Sequence, residues 1–563
     1  MRKLRNGMTI NTFRRSLLGH NCFKKFSEFV RITGCFSDQI SDLSFAGIHK
    51  PSLDCVERIV RHSLQRKNAA NLVPIFREFS SAHLNYSDAY LKLTNSLESD
   101  FSFLLESAVN EEKGRYVFMG TSPHKILKTG EGHGESVDPL PGLENVLTEK
   151  RVAQVPGLVL PPLTGGAIGY IGYDCVKYFE PRTSRPLIDV LKVPESLFMF
   201  FDTVVAFDRL TDLVKVITYL TVPSDLSELP IAYDTARKNI DKVYDILLSP
   251  DKVIPKQDTI RKSGDFKSNI GQKGYEKYVT TLKNHIIDGN IIQAVPSQRI
   301  AYPTSLHPFN IYQALRAVNP SPYLFYIDCH EFQIVGASPE LLVRKEAGRI
   351  LTHPIAGTVK RSNDEIEDKL LGEQLQQSEK DVAEHVMLVD LARNDINRVC
   401  NPLSTRVDRL MTVEKFSHVQ HLVSQVSGTL RKGKTRFDAF RSIFPAGTVS
   451  GAPKVKAMEL IAELEGEKRG IYAGAVGYFG YNTVDAYGNE NEGEMDTCIA
   501  LRTMIVKDGF VYLQAGGGIV YDSDPTEEFE ETMNKARAGI AAIKRAEQQF
   551  LGQDLKQGES SIH

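Results

Sequence analysis

A short acidic run near the C-terminus has the spacing of a site on one face of a helix. Asp524 is a suitable N-cap, and Pro525 suits the first helical position, where its missing N–H is not needed. From that start, Glu528, Glu531 and Lys535 fall at i, i+3 and i+7 and share one face. Carboxylates about 5–6 Å apart on one face repel unless a positive group lies between them. The same acids also suit a solvated first turn that complements the helix dipole, so the helix alone leaves both interpretations open.

A second helix, predicted over about 378–394, repeats this spacing. It places Asp381 and Glu384 at i and i+3, and its other surface is apolar. If the two helices face each other, four carboxylates converge, and a hard divalent cation is needed to balance them. Mg²⁺ takes oxygen ligands and keeps several waters, which leaves room for a substrate carboxylate, whereas zinc favours His or Cys. The spacing predicts a magnesium site if the helices meet.

The composition excludes several classes of partner and site. The 563 residues are 42% apolar and 25% charged, as in a soluble globular protein. A net charge of −2 gives no reason to expect nucleic acid or a membrane surface as a partner, and no apolar stretch approaches a membrane span. The seven cysteines are scattered and form no Cys-x-x-Cys pair, which argues against a zinc site or a disulfide framework.

Changes in composition divide the chain into regions. We expect an N-terminal extension over 1–64, a first folded region over 65–250, a polar linker over 251–272, a second folded region over 273–548 and a disordered tail over 549–563. Alternating strands dominate the first region, and the two halves could each supply one sheet of a layered fold.

The start of the chain is basic, and no acidic residue precedes Glu28. This composition is that of an organelle transit peptide or of a disordered extension, and both interpretations stand. We expect a cytoplasmic protein, with an organelle as the alternative if the extension is a transit peptide.

Several long motifs in a fixed order resemble the chorismate-utilising enzyme family over residues 275–545. Most of the chain resembles the large subunits of anthranilate synthases within that family. The motifs are Pro354-Ile-Ala-Gly-Thr358, Ala383-Glu-His-Val-Met-Leu-Val-Asp-Leu-Ala-Arg-Asn-Asp395, Pro445-Ala-Gly-Thr-Val-Ser-Gly-Ala-Pro-Lys454, Asp496-Thr-Cys-Ile-Ala-Leu-Arg-Thr503, Gln514-Ala-Gly-Gly-Gly518 and the acidic helix after Asp524.

The resemblance implies a large α/β (α+β) fold, in which two antiparallel sheets pack together with helices outside. It implies amination of chorismate at C2 by ammonia and elimination of pyruvate to give anthranilate, the first committed step of tryptophan biosynthesis. It also implies that Glu384 and Glu531 bind Mg²⁺ directly, with Asp381 and Glu528 in support. Asp381 stands where relatives usually carry Glu, so its role is either that of a base or that of a water-mediated ligand.

The resemblance also implies residues around the substrate. Arg502 and Tyr478 match the family residues that bind the enolpyruvyl carboxylate. A planar guanidinium suits this role because it can donate two hydrogen bonds to a carboxylate. The remaining matches are a carboxylate cradle of backbone N–H groups and a cation (Gly516, Gly518 and Lys535), a candidate proton donor beside the ring (His421) and a hydroxyl at the ring (Thr448). Without the resemblance, His421 would be read as a structural histidine.

Two positions select the chemistry within the family. Isochorismate and salicylate synthases carry a water-activating lysine where this chain has Gln293, which favours ammonia as the nucleophile. Aminodeoxychorismate synthases typically carry a lysine where this chain has Ala356, and alanine cannot form their covalent adduct. Anthranilate is therefore favoured over aminodeoxychorismate as the product.

Regulation and a partner are implied in the same way. Two segments resemble those that bind inhibitory tryptophan, and the matching residues are Glu106, Ser107, Pro322, Tyr323, Leu324 and Cys498. Without the resemblance they would be read as a core strand and a Pro-rich turn. The chain has no Gly-x-Cys-x-Gly glutaminase motif, so we expect a separate glutamine amidotransferase subunit to supply ammonia.

Overall fold

The computed structural model describes residues 49–107, 114–155, 157–255, 257, 259–260, 264–415 and 419–560. The predicted extension lies outside the described residues up to residue 48, and with it the basic segment on which the transit-peptide hypothesis rests. No helix among the described residues is long and apolar enough to cross a membrane.

The helices are α1 (Leu53–Leu64), α2 (Tyr86–Leu97), α3 (Pro139–Glu149), α4 (Val176–Phe179), α5 (Leu229–Leu248), α6 (Gly271–Ile287), α7 (Pro308–Val318), α8 (Glu365–Gln377), α9 (Glu379–Asn397), α10 (Arg436–Ile443), α11 (Lys454–Glu465) and α12 (Pro525–Ser560). Short 3₁₀ turns lie at Tyr173–Cys175, Pro181–Thr183, Leu226–Glu228, Pro402–Ser404 and Gly447–Val449.

The strands of the first half are β1 (His49–Lys50), β2 (Leu72–Ser80), β3 (Phe101–Glu106), β4 (Tyr116–Thr121), β5 (Lys125–Thr129), β6 (Arg151–Ala153), β7 (Gly166–Ile171), β8 (Ser196–Phe201), β9 (Thr203–Asp208) and β10 (Leu213–Thr221). Those of the second half are β11 (Lys267–Ser268), β12 (Gln293–Ala294), β13 (Ser297–Pro303), β14 (Tyr323–Cys329), β15 (Gln333–Ser338), β16 (Leu341–Glu346), β17 (Arg349–Thr352), β18 (Ile355–Lys360), β19 (Arg406–Lys415), β20 (Val419–Thr429), β21 (Gly451–Ala452), β22 (Ala475–Gly480), β23 (Asn482–Val484), β24 (Glu490–Asn491), β25 (Met495–Ile499), β26 (Thr503–Lys507) and β27 (Phe510–Gly516).

Most of these strands form two large sheets. The 15-stranded sheet has the order β11-β13-β27-β26-β15-β14-β3-β4-β9-β10-β2-β6-β23-β24, with β1 on β2, and the 10-stranded sheet has the order β18-β20-β17-β16-β25-β22-β7-β8-β5, with β19 on β20. Pairing is antiparallel apart from the contacts of β6 with β2 and β23. Both sheets draw strands from both halves of the chain, so the expectation of one sheet from each half was wrong.

The sheets pack face to face with helices outside. One buried cluster joins side chains of the two sheets, such as Phe103 and Phe325 from the first and Ile168 and Val476 from the second. Separate clusters bury α1, α2, α5, α7 and α12 against the first sheet, and α3, α9, α10 and α11 against the second. This confirms the predicted layered α+β fold. Its two-sheet core is why the strands are so continuously apolar.

The predicted region boundaries need two corrections. Residues 53–64 form α1, whose Val56 and Val60 are fully buried in the core, so the fold begins before residue 65. Helix α12 continues to Ser560, so residues 549–560 are helical and not a disordered tail. Both errors arose because short charged segments read as polar extensions when their tertiary contacts are unknown.

Candidate functional site

The acidic helix begins where its sequence predicts. The Asp524 carboxylate accepts the backbone N–H groups of Thr526 at 2.9 Å and Glu527 at 3.1 Å, which caps α12. Glu528 on its first turn is buried, whereas Glu531 one turn later is exposed. The two acids of the predicted face therefore meet different surroundings.

Glu528 is a buried carboxylate with incomplete hydrogen bonding. The Ser523 hydroxyl donates to its Oε1 at 2.6 Å, while its Oε2 is buried and has no hydrogen-bond partner among the described residues. Burial raises the pKa of this carboxyl, and the nearby negative charge of Glu531 raises it further. A buried acceptor of this kind is costly unless something outside the chain satisfies it.

Glu531 and Lys535 form an ion pair at the surface. Their charged atoms lie 2.7 Å apart, and about half of each side chain is exposed, so the pair contributes well under about 1 kcal/mol to stability. The Lys535 ammonium also donates to the carbonyl of Gly516 at 3.0 Å. This contact ties the exposed face of α12 to the glycine segment at the end of β27.

The second carboxylate pair lies at the start of α9. The Ser378 side chain accepts the Asp381 N–H at 3.3 Å and donates to the Asp381 carboxylate, so Asp381 belongs to the helix cap. One turn later, the Gln293 side-chain N–H₂ donates to Glu384 Oε1 at 3.1 Å. The other amide atom, Gln293 Oε1, is buried and has no partner among the described residues.

The glycine segment 516–518 lies against one acid of each pair, Glu528 and Glu384. A Cβ on Gly517 would lie 2.8 Å from Glu528 Oε2, and a Cβ on Gly518 would lie 2.3 Å from Gln293 Nε2 and 3.6 Å from Glu384 Oε1. Only glycine leaves room for these side chains. The two helices thus approach a common backbone segment. Over the described residues, however, no three Asp, Glu, His or Cys side chains lie close enough to form a preassembled metal cluster.

A second polar group surrounds a carboxylate that sequence reasoning missed. The Thr448 hydroxyl donates to Glu340 Oε1 at 2.8 Å, and Glu340 lies buried just before β16. Burial raises the pKa of Glu340 to about 8, although Thr448 and the nearby Arg502 act in the opposite direction. The available sequence signal was a lone acid directly before the apolar run Leu341-Leu342-Val343, a position where charge is costly.

His421 lies on β20 and is also near Arg502. Its Nδ1 is 2.9 Å from the Gly357 carbonyl and 3.1 Å from the Thr358 hydroxyl, which favours a proton on Nδ1. Burial lowers the pKa of His421 to about 4, and the positive charge of Arg502 contributes to this shift. The imidazole is therefore neutral near pH 7, so it is a hydrogen-bonding group more than a strong acid.

The two residues predicted to grip one carboxylate have different neighbours. Arg502 lies near Glu340 and His421. Tyr478 is buried between the sheets, where its ring packs against Phe118; burial raises the pKa of its hydroxyl, and the nearby charge of Asp496 raises it further.

Another tyrosine, Tyr472, lies at the glycine segment instead. A Cβ on Gly516 would be 3.1 Å from the Tyr472 hydroxyl, so this hydroxyl lies directly beside the backbone of Gly516. We therefore replace Tyr478 by Tyr472 in the candidate site. The two tyrosines are six residues apart, and local sequence gave no means to choose between them.

The predicted regulatory residues form a separate cluster across β3 and β14. The Glu106 carboxylate accepts from the Tyr312 hydroxyl, from Arg316 at 2.8 Å and from Arg209 at 3.2 Å. Leu324 lies opposite Glu106 in the strand pairing. The hydroxyl of Ser107 is buried and has no hydrogen-bond partner among the described residues.

The other members of this cluster lie beside an ion pair of the second sheet. The Tyr323 hydroxyl donates to Asp496 at 3.0 Å and accepts from Arg344 at 3.1 Å, and Arg344 pairs with Asp496 at 2.8 Å. Pro322 is half-buried, and Cys498 is buried close enough to Tyr323 to affect its ionisation. The structure therefore brings the two predicted segments together.

Comparison with known proteins extends these observations over most of the chain. Residues 100–541 match the model of the family described as chorismate binding enzyme. Anthranilate synthase component 1 of Saccharomyces cerevisiae is 55% identical over 509 residues, which cover 89% of this chain and 97% of that protein. Anthranilate synthase component 1 of Pseudomonas putida is 41% identical over 479 residues, which cover 82% of this chain and 92% of the relative.

Solved structures show the same fold. Anthranilate synthase component I from Streptococcus pneumoniae superposes with a TM-score of 0.65 at 37% identity, over 76% of this chain and 92% of that one. A menaquinone-specific isochorismate synthase from Escherichia coli superposes with a TM-score of 0.63 at 19% identity, over 87% and 98%. The second match shows the fold alone. Because the family model spans most of the chain and relatives match nearly their whole length, the chain belongs to the chorismate-binding enzymes, in the anthranilate synthase component 1 group.

Proposed function

We propose that this chain combines chorismate with ammonia to give anthranilate, pyruvate and water. The contact of Gln293 with Glu384 beside Gly518 carries the proposal, because it sets an uncharged amide next to the carboxylates. An amide has too little basicity to take a proton from water. The site therefore suits ammonia, which is a nucleophile without activation.

Ala356 supports free ammonia as the nitrogen donor to the ring. It lies buried on β18, opposite Leu422 of β20. Its methyl group cannot form a covalent adduct with a substrate. Nitrogen must therefore arrive as a separate molecule.

The carboxylate pairs fit a Mg²⁺ ion. The donors are all oxygen atoms, which this hard cation prefers, and Glu528 Oε2 is a buried acceptor without a partner among the described residues. Glu384 and Glu531 would hold the ion, with Asp381 and Glu528 in support. When bound, Mg²⁺ would supply Lewis acidity and orientation at a substrate carboxylate.

Glu340 is suited to donate a proton to the departing C4 hydroxyl of chorismate. Its pKa of about 8 keeps the carboxyl protonated near pH 7, and Thr448 holds its Oε1 in one orientation. Neutral His421 can hydrogen-bond the same ring. In this proposal the proton given by Glu340 leaves with the hydroxyl as water, and the carboxylate that remains is stabilised by nearby Arg502.

Several groups can bind the carboxylates of chorismate. Arg502 has no ion-pair partner within 4.0 Å among the described residues, which leaves its guanidinium available for a substrate carboxylate. At the glycine segment, Lys535 supplies a positive charge and Tyr472 a hydroxyl. These groups would hold the ring carboxylate on one side and the enolpyruvyl carboxylate on the other.

Tryptophan inhibition and a glutamine amidotransferase partner belong to the same proposal. The unpartnered hydroxyl of Ser107 and the apolar wall of Pro322 and Leu324 suit a small amphiphilic ligand beside Glu106. The partner subunit would release ammonia from glutamine, because the sequence carries no glutaminase motif.

A product assay tests this function. The purified full chain, given chorismate, an ammonium salt and MgCl₂, should form anthranilate and an equal amount of pyruvate, measured by fluorescence and by a coupled pyruvate assay. Glutamine alone should not replace ammonium, and chelation of Mg²⁺ should stop the reaction. Isochorismate, or an aminated product formed without pyruvate, would overturn the assignment. Glutamine-dependent turnover by the chain alone would show that no separate amidotransferase subunit is needed.

A further inference from the structure

A buried tyrosine on α6 holds the centre of the glycine segment. The Tyr275 hydroxyl accepts the backbone N–H of Gly517 at 3.0 Å and donates to the Pro296 carbonyl at 3.2 Å. Tyr275 is fully buried, and no water is needed to complete its hydrogen bonds. Its hydroxyl therefore connects the end of β27 to the residue before β13.

The position of Gly517 gives this hydrogen bond its significance. On one side of the segment, Gly517 faces the carboxylate of Glu528, with 2.8 Å between a built Cβ and Oε2. On the other side, Gly518 faces Gln293 and Glu384. A rotation of the peptide at Gly517 would shift both contacts, so the Tyr275 hydroxyl holds the backbone that lies against both acids.

The hydrogen bonds of the segment single out one N–H group. The Tyr472 hydroxyl lies beside the backbone of Gly516, and the Tyr275 hydroxyl accepts the N–H of Gly517. The N–H of Gly518 has no hydrogen-bond partner within the part of the chain that the structure describes. Because Tyr275 holds the N–H of Gly517, the next N–H along the segment, that of Gly518, is the one left for a ligand.

We propose that Tyr275 is a positioning residue for chorismate, acting through Gly517 to fix the Gly518 N–H and the gap between Glu528 and Glu384. This inference rests on the proposed function, since it concerns the same substrate. Tyr275 touches neither substrate nor metal in this scheme. A purely structural role in its apolar cluster with Val279, Leu282 and Ile519 would instead affect stability alone.

Tyr275→Phe keeps the ring and removes only the acceptor of the Gly517 N–H. We expect the KM for chorismate to rise about tenfold while kcat stays within about threefold, because an unpaired buried N–H lets the segment rotate. Tyr278→Phe is the matched control. It lies on the same helix, is half-buried, and its hydroxyl makes no hydrogen bond among the described residues, so its KM should stay within about twofold of the parent.

Initial rates with an ammonium salt at saturating Mg²⁺, together with thermal unfolding, decide the outcome. An unchanged KM in Tyr275→Phe, or an equal change in both variants, overturns the positioning role while leaving anthranilate formation intact. Failure of the parent chain to form anthranilate would instead reject the proposed function. The two failures are therefore distinguishable.

A second substitution tests the route through Gly517 independently of the stability of Tyr275→Phe. Gly517→Ala places a methyl group against Glu528 Oε2 and should also raise the KM for chorismate by about tenfold or more. If Tyr275 acts through Gly517, the double variant should be markedly less impaired than the product of the two single effects. Independent, multiplicative effects, or a normal KM in Gly517→Ala, would contradict the inference.

Discussion

Glu106 and Glu528 are buried to nearly the same extent, 5% and 7% exposed, yet their surroundings differ. Both oxygens of Glu106 accept hydrogen bonds, and two arginines balance its charge. Glu528 receives one hydroxyl, its second oxygen has no partner among the described residues, and Glu531 adds a like charge nearby. The charge of the first acid is balanced within the chain, whereas that of the second is not.

The difference separates two uses of a buried carboxylate. An acid whose two oxygens both accept hydrogen bonds, such as Glu106, holds strands and helices in one arrangement. A ligand there must use groups beside it, such as the Ser107 hydroxyl. A buried acid with one oxygen that lacks a hydrogen-bond partner, such as Glu528, raises the free energy of the folded chain. A cation that binds this oxygen offsets that cost. Unpaired buried atoms therefore locate the ligand more directly than charge alone.

The largest effect should come from substitution of Glu531, the exposed acid one helical turn after Glu528. Glu531→Gln keeps the size of the side chain and removes the charge proposed to bind Mg²⁺, so kcat/KM should fall on the order of a hundred- to a thousandfold. The melting temperature should barely change, because the Glu531–Lys535 pair is half exposed. Glu530→Gln, also exposed on α12, is the control and should behave as the parent. Normal turnover in Glu531→Gln would remove the metal assignment.

Glu340 should give the next largest effect. Glu340→Gln cannot release a proton, so kcat should drop about a hundredfold at pH 7 if this carboxyl protonates the leaving hydroxyl. In the parent, kcat should decline as the pH rises above about 8, where the carboxyl loses its proton. A pH–rate profile from 6 to 9.5 measures both effects. An unchanged alkaline limb in the variant would assign that limb to another group.

The same pKa predicts how stability depends on pH. Glu340 holds its proton up to about pH 8 in the folded chain, but only up to its ordinary value near about 4.3 in the unfolded chain. The folded state binds more protons between these values, so the contribution of Glu340 is fully present below about pH 4 and is lost as pH rises through about 8. The melting temperature of Glu340→Gln should therefore increase relative to that of the parent as pH rises from 5 to 9. A pH-independent difference would contradict the raised pKa.

The sequence predicts the elements of the site better than it predicts their surroundings. Asp524 with Pro525, and the helix predicted from residue 378, marked the starts of α12 and α9 correctly, because capping is a local property. The same periodicity placed Glu528 and Glu531 on one face but could not show that one is buried and the other exposed.

Partners far apart in sequence could not be predicted from spacing. The acceptor Glu106 lies 206 residues from Tyr312 and 103 from Arg209, and no local pattern links them. Glu340 was missed because a single acid beside a strand has no periodicity, and Tyr472 was missed because its place beside Gly516 depends on packing. The sequence motifs were enough to identify the family, whereas these contacts could be seen only in the packed structure.

The smallest effect should come from a substitution beside Glu106, the acid whose two oxygens are both hydrogen-bonded. Ser107→Ala removes a hydroxyl that has no partner among the described residues, so the melting temperature should stay close to that of the parent. If that hydroxyl hydrogen-bonds tryptophan, the inhibition constant should rise about three- to tenfold. Ser102→Ala, on the β3 strand that ends directly before Ser107, is the opposite case. Its hydroxyl bonds the buried Tyr90, so stability should fall by about 1 kcal/mol while inhibition is retained. Unaltered inhibition in Ser107→Ala would place the tryptophan site elsewhere and leave Glu106 a purely structural acid.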